Sequence, residues 1–111
     1  MAKNYVLAIP MTSIDAATFT GNYQAINTDG LPEACSLIRI VNDTNRDITI
    51  SYDGVDPHDY IPAVGRLELN LQANSQPSGY VSALRQGAVV YIAAAAGAGF
   101  VYLAGYYNPK N

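Results

Sequence analysis

The residues of this chain best suited to chemistry crowd into one stretch, Asp53-Gly54-Val55-Asp56-Pro57-His58-Asp59. Three carboxylates stand there beside the only histidine. Carboxylates suit Ca²⁺ or Mg²⁺ and imidazole suits Zn²⁺, so one reading is a metal centre. An EF-hand loop, however, needs ligands on alternate positions and a distal Glu, and this stretch has neither. The other reading is a pair of turns. Asp53-Gly54 supplies a left-handed position, Asp56-Pro57 starts a second turn, and the Asp side chains cap backbone amides. On that reading Asp53, Gly54, Asp56, Pro57, His58 and Asp59 form a structural loop that holds no metal and no cofactor.

Catalysis by the same stretch would need more. His58 could act as a general base oriented by Asp56 or Asp59, but only beside a nucleophile. Cys35, the single cysteine, has no elbow or glycine frame around it and reads as a small buried hydrophobe. Gly97-Ala98-Gly99 lacks the third glycine and the following helix of a dinucleotide fingerprint. The residues therefore predict no catalytic group, no enzyme and no small-molecule substrate, with a small metal-dependent enzyme centred on Asp53 to Asp59 as the remotest alternative.

Tyrosine is the more informative side chain, with nine Tyr, two Phe and no Trp. Its ring offers apolar area with a polar tip, and it is enriched in protein interfaces. Between Gln86 and Asn108 no Asp, Glu, Lys, Arg or His occurs. A strand pair facing water on one side should carry polar residues at every second position. Tyr91, Tyr102, Ala104, Tyr106 and Tyr107 are accordingly candidate interface residues. Stacking of the rings on carbohydrate is an alternative use, giving a glycan- or receptor-binding module.

The elements that must position these groups are strands. Tyr5 to Ile9 is a short apolar run stopped by Pro10, Met11 to Thr18 reads as a connection, and Phe19 to Ile26 as a weak edge strand. Ser36 to Asn42 has few polar positions, which predicts burial on both faces. Asp43 to Arg46 reads as a hairpin turn into Asp47 to Asp53, where Ile48, Ile50 and Tyr52 alternate with polar residues. Arg66 to Gln72 alternates likewise, with Leu67, Leu69 and Leu71 inward. Ala88 to Ala93 and Phe100 to Tyr107 read as a closing hairpin across Ala94 to Gly99. No segment sustains a helical period. The pattern predicts an all-β fold, a small β-sandwich or jelly-roll-like barrel of about eight short antiparallel strands. It would form one domain over 1–111, with residues 1–20 as an extended arm.

Composition narrows the partners. Half the 111 residues are hydrophobic and only 14% are charged, well below the usual quarter or so, and a charge-poor surface suits lasting protein contacts. Six scattered Lys and Arg in a chain of net charge −3 make no phosphate-neutralising stripe, so nucleic acid is not an expected partner. The longest apolar region, Ala88 to Ala104, is broken by Gly97 and Gly99 and predicts no membrane span. The apolar run before Pro10 is too short for a signal peptide, so synthesis in the cytoplasm is expected. A homo-oligomer is the expected state.

Several short motifs resemble a family of small virion proteins of tailed bacteriophages. Between Tyr23 and Asp59 they are Arg39-Ile40-Val41-Asn42, then Ser51-Tyr52-Asp53-Gly54, then His58-Asp59 with Pro62 after it. Val89-Val90-Tyr91 and Gly105-Tyr106-Tyr107 are similar to the closing strands of such proteins. The resemblance implies a structural role in a phage particle, as a capsid decoration (cement) protein or as a neck or tail ring subunit at the head-tail connector. It implies capsid, portal or other virion proteins as partners and a location in the virion, and it implies no catalytic residues.

Overall fold

The computed structural model describes residues 7–70 and 84–107. Among these residues nine strands follow in order: β1 Leu7–Ala8, β2 Thr12–Asp15, β3 Gln24–Ala25, β4 Leu37–Thr44, β5 Ile48–Ser51, β6 Asp59–Ile61, β7 Arg66–Asn70, β8 Tyr91–Ala93 and β9 Gly99–Tyr107. Among the described residues the only helical piece is a 3₁₀ turn, Ala16–Thr18, which Asp15 caps by accepting the Ala17 amide at 2.9 Å. No described helix is long and apolar enough to cross a membrane.

The strands form two antiparallel sheets. The first runs β1-β9-β4-β7, with β2 on the same edge of β9 as β1 continues to occupy further along. The second runs β3-β8-β5-β6. Taken from β2 onward, the two orders are 2-9-4-7 and 3-8-5-6, so successive strands distribute between the sheets as in a jelly roll of two Greek keys.

The alternation seen in sequence sets which face is inside. On β4, Ile38, Ile40, Asn42 and Thr44 point inward and are buried. Its register partners Val101, Leu103 and Gly105 on β9 point the same way. Ile48, Ile50, Ile61 and Ile92 answer from the second sheet, each at most 1% exposed. Burying such a side chain contributes about 1.5–3 kcal/mol, so this layer drives the collapse. Leu67 and Leu69 pack against it from β7, as their period-two spacing requires; Leu71 lies outside the described residues.

Three expectations need correction. Met11 to Thr18 is not only a connection: β2 pairs with β9 over Thr12–Asp15. As an edge strand it needs few apolar residues: Ile14 points inward with Thr12, whose hydroxyl is buried, while Ser13 is exposed. Asp43 to Arg46 is not a hairpin turn, and Ala94 to Gly99 does not close one. Both segments carry the chain from one sheet to the other, because β4 and β9 belong to the first sheet and β5 and β8 to the second.

Polar side chains replace ladder bonds at that crossing. The Asn42 amide donates to the carbonyls of Arg46, Ile61 and Pro62 at 2.8–3.3 Å. Thr44 donates to Asn42 Oδ1 at 2.6 Å. Asn45 accepts from the Ala98 amide and the Arg46 guanidinium donates to the Ala96 carbonyl, both at 2.9 Å. Gly99, at φ 106, passes so close to the Asp43 carbonyl that a Cβ would collide with it.

Burial of β4 on both faces is only half realised. Its inward side is closed, whereas Leu37, Arg39 and Val41 are half-buried and Asp43 is exposed on the outer side.

Candidate functional site

Two features gather the residues singled out in the sequence: the loop after β5 and the outer face of the first sheet.

The loop is built by hydrogen bonds to its own backbone. Asp53 Oδ1 accepts from the amides of Val55 and Asp56 at 2.8 and 2.9 Å and from the Ser51 hydroxyl at 2.9 Å. Ser51 Oγ in turn accepts from the Gly54 amide at 2.9 Å. Gly54 takes φ 79, the left-handed position that the Asp-Gly pair announces. The Tyr52 amide donates to His58 Nδ1 at 3.0 Å, and the two rings stack with centroids 5.5 Å apart. The Tyr52 hydroxyl donates to Asp59 Oδ2 at 2.7 Å. Asp56 and Pro57 stand exposed at the tip.

These commitments decide what the loop can do. The backbone donors of Asp56 and Val55, with Ser51, hold the Asp53 carboxyl down at about 2. So low a pKa makes a poor proton acceptor at neutral pH. Ser51 donates to Asp53 rather than to His58, so the Ser-His-Asp order that activates a nucleophile is not formed. His58 Nε2 lies 3.9 Å from Asp53 Oδ2, a loose contact between half-exposed groups. Burial, together with its bond to Asp59, pushes the Tyr52 phenol well above its ordinary range. No group of three or more His, Cys, Asp or Glu stands ready to hold a metal among the described residues. Cys35 is fully buried, and burial, with Glu33 nearby, raises its thiol further from ionisation.

The tyrosines divide among three places. Tyr91 lies on β8, on the outer side of the second sheet, with its ring edge 3.2 Å from where a Cβ on Gly54 would stand. Tyr107 points inward and packs against the core. Tyr102, Ala104 and Tyr106 come together on the outer face of β9, beside Phe100, whose ring centroid is 6.2 Å from that of Tyr102.

Register adds residues that sequence reasoning had not joined to this face. Phe100, Tyr102, Ala104 and Tyr106 stand opposite Asp43, Val41, Arg39 and Leu37 of β4. Arg66 and Glu68 of β7 continue the rows of Val41 and Arg39. The Arg39 guanidinium donates to the Tyr106 hydroxyl at 3.4 Å. Every second residue of β4 had carried this information, but nothing in the sequence said that β4 borders β9.

A cleft of about 460 Å³ opens at the opposite edge, between Pro10–Ser13 and the loop from Ile26 to Pro32. Asn27 lines it, but its amide is already used by the Ala88 carbonyl and the Val90 amide. Asp29 is the only charged residue on its wall among the described residues.

No family model matches the chain, and no curated protein matches it in sequence. Solved structures of similar shape include one described as "Bacillus endospore appendages form a novel family of disulfide-linked pili". It is 16% identical, with 95% of this chain and 89% of that chain covered and a TM-score of 0.44. Another is the crystal structure of PirA, 16% identical, with 96% and 97% covered and a TM-score of 0.36. Likeness at this level carries no inference about role.

The resemblance to phage virion proteins is therefore withdrawn, and with it the decoration, neck or tail role, the capsid and portal partners and the virion location. No family model supports it, and neither similar structure is described as part of a phage particle. Its motifs have a plainer origin. Arg39 to Asn42 is an alternating stretch inside β4 whose last residue is a buried Asn, and Ser51 to Gly54 is a strand end with its turn.

Proposed function

We propose that this chain is a non-catalytic structural domain that binds protein, and first of all further copies of itself. One observation carries the proposal: the outer face of β9 and β4. It presents Phe100, Tyr102, Ala104 and Tyr106 beside Leu37 and Val41, with Phe100 42% exposed. Apolar area of this kind on a soluble surface marks an interaction site. Aromatic side chains supply most of the binding energy in such sites. The acidic loop supports the same reading from the other side, because the Asp53 and Asp59 carboxylates and the His58 imidazole hold the loop's own groups. Sedimentation across a wide range of concentration tests the proposal. A mass that rises with concentration is expected; a monomer throughout overturns it.

A further inference from the structure

Resting on that reading, we infer that the partner is a second copy docked face to face, about a two-fold axis that crosses the strands at Tyr102 and Val41. The inference comes from the order of side chains on the face. Taking Tyr102 and Val41 as the central row, Phe100 and Asp43 form the row on one side, and Ala104 and Arg39 the row on the other. A two-fold axis through the central row and perpendicular to the strands keeps each strand over its counterpart and exchanges the flanking rows. Asp43 then meets Arg39 of the partner copy, and Arg39 meets Asp43. Phe100, the large ring, lies over Ala104, the small side chain. One contact type, made twice, gives an isologous interface that closes.

Neither charge is in an ion pair among the described residues. Asp43 is exposed and has no hydrogen-bond or ion-pair partner among the described residues. Among the described residues the Arg39 guanidinium has one hydrogen-bond partner, the Tyr106 hydroxyl, at 3.4 Å. Glu68 is its register neighbour on β7, yet the ion pair formed among the described residues is His58–Asp53, not Arg39–Glu68. Arg66 and Glu68 lie on the edge strand, at the rim, where salt screens charges.

Sheet geometry permits the pairing. Facing sheets cross at about 30°, and the flanking rows lie about 7 Å from the axis. The crossing therefore displaces a flanking residue sideways by about 3.5 Å, less than the strand spacing of about 4.8 Å, within the swing of an arginine.

Charge reversal tests this on the full chain. Asp43→Arg leaves two arginines on the outer side of β4, and Arg39→Asp leaves two aspartates there. Each variant alone should dissociate at least about tenfold more readily than the parent, since like charges then meet twice. Mixing the two variants should restore association, because every arginine then meets an aspartate; the double variant should also recover it. Rescue by mixing does not follow from damage to the fold, which neither partner could repair. If the single variants associate like the parent, or if the mixture stays dissociated, the two-fold docking is wrong while self-association stands. If the parent itself is monomeric, both fall.

Discussion

The two outer faces of this sandwich have opposite fates. The second sheet is covered over β5 and β8 by its own chain: the loop after β5 folds back so that Ser51 is fully buried and Gly54 lies against Tyr91, while Tyr60 on the β6 edge stays 60% exposed. The first sheet has no such cover among the described residues, and Phe100, Tyr102 and Val41 stand open or half-open. A face closed by intrachain hydrogen bonds contributes to folding. A face left open and aromatic contributes to association. Substitutions on the two should therefore separate into different measurements.

The largest effect on stability is expected at Ser51. Replacing it by Ala removes the acceptor for the Gly54 amide and a donor to Asp53. Leaving buried polar groups unpaired costs about 1–3 kcal/mol, so the denaturant midpoint of Ser51→Ala should fall clearly while association is unchanged. Gly54→Ala comes next. Its φ of 79 and the nearby Tyr91 ring make any Cβ costly, by about 1–2 kcal/mol for the left-handed backbone. A neutral result in urea unfolding would mean the loop relaxes and does not clamp the second sheet.

Acid should open the same face. Asp53 titrates at about 2 in the fold, against an ordinary 3.8. The unfolded chain takes up this proton first, so the stabilisation is complete above about 3.8 and is lost as pH falls towards 2. The Asp47 carboxyl, lowered by the Ala63 amide and Tyr60, adds to the slope in the same direction. Melting temperatures from pH 5 to 2 should fall more steeply for the parent than for Asp53→Asn. Equal slopes would remove Asp53 from the account.

The smallest effect on stability is expected on the open face. Val41→Thr keeps a β-branched strand residue and should change unfolding by only about 0.5 kcal/mol. It should nonetheless weaken self-association measured by sedimentation. A large loss of stability instead would show that the first sheet's outer face is held by the monomer itself.

Much of the architecture was legible in alternation. Ile48 and Ile50, and Leu67 and Leu69, each point where their spacing said. Pairing was not legible where turn residues served two purposes. Asp43 to Arg46 and Ala94 to Gly99 have hairpin composition, yet each bridges the sheets: buried Asn42 holds the Arg46 carbonyl, and Arg46 and Asn45 bind the Ala96 carbonyl and the Ala98 amide of the other segment. β2 escaped notice because an edge strand needs only one inward apolar side chain, Ile14. For the loop, Asp53-Gly54 announced a turn, but not that Ser51 would complete it. For the open face, the tyrosines were visible and their neighbours on β4 were not. A strand pattern gives the face of each residue and leaves its lateral partner undetermined.

The place of β9 has a consequence for how the molecule is made. It lies between β4 on one edge and β1 and β2 on the other, yet follows every other strand in chain order. Until it emerges from the ribosome, β2 and β4 have no common neighbour, and the edge of β4 that will receive it is bare. Closing the sheet then joins segments from opposite ends of the sequence in one step. Folding of this non-local kind is expected to take milliseconds to seconds.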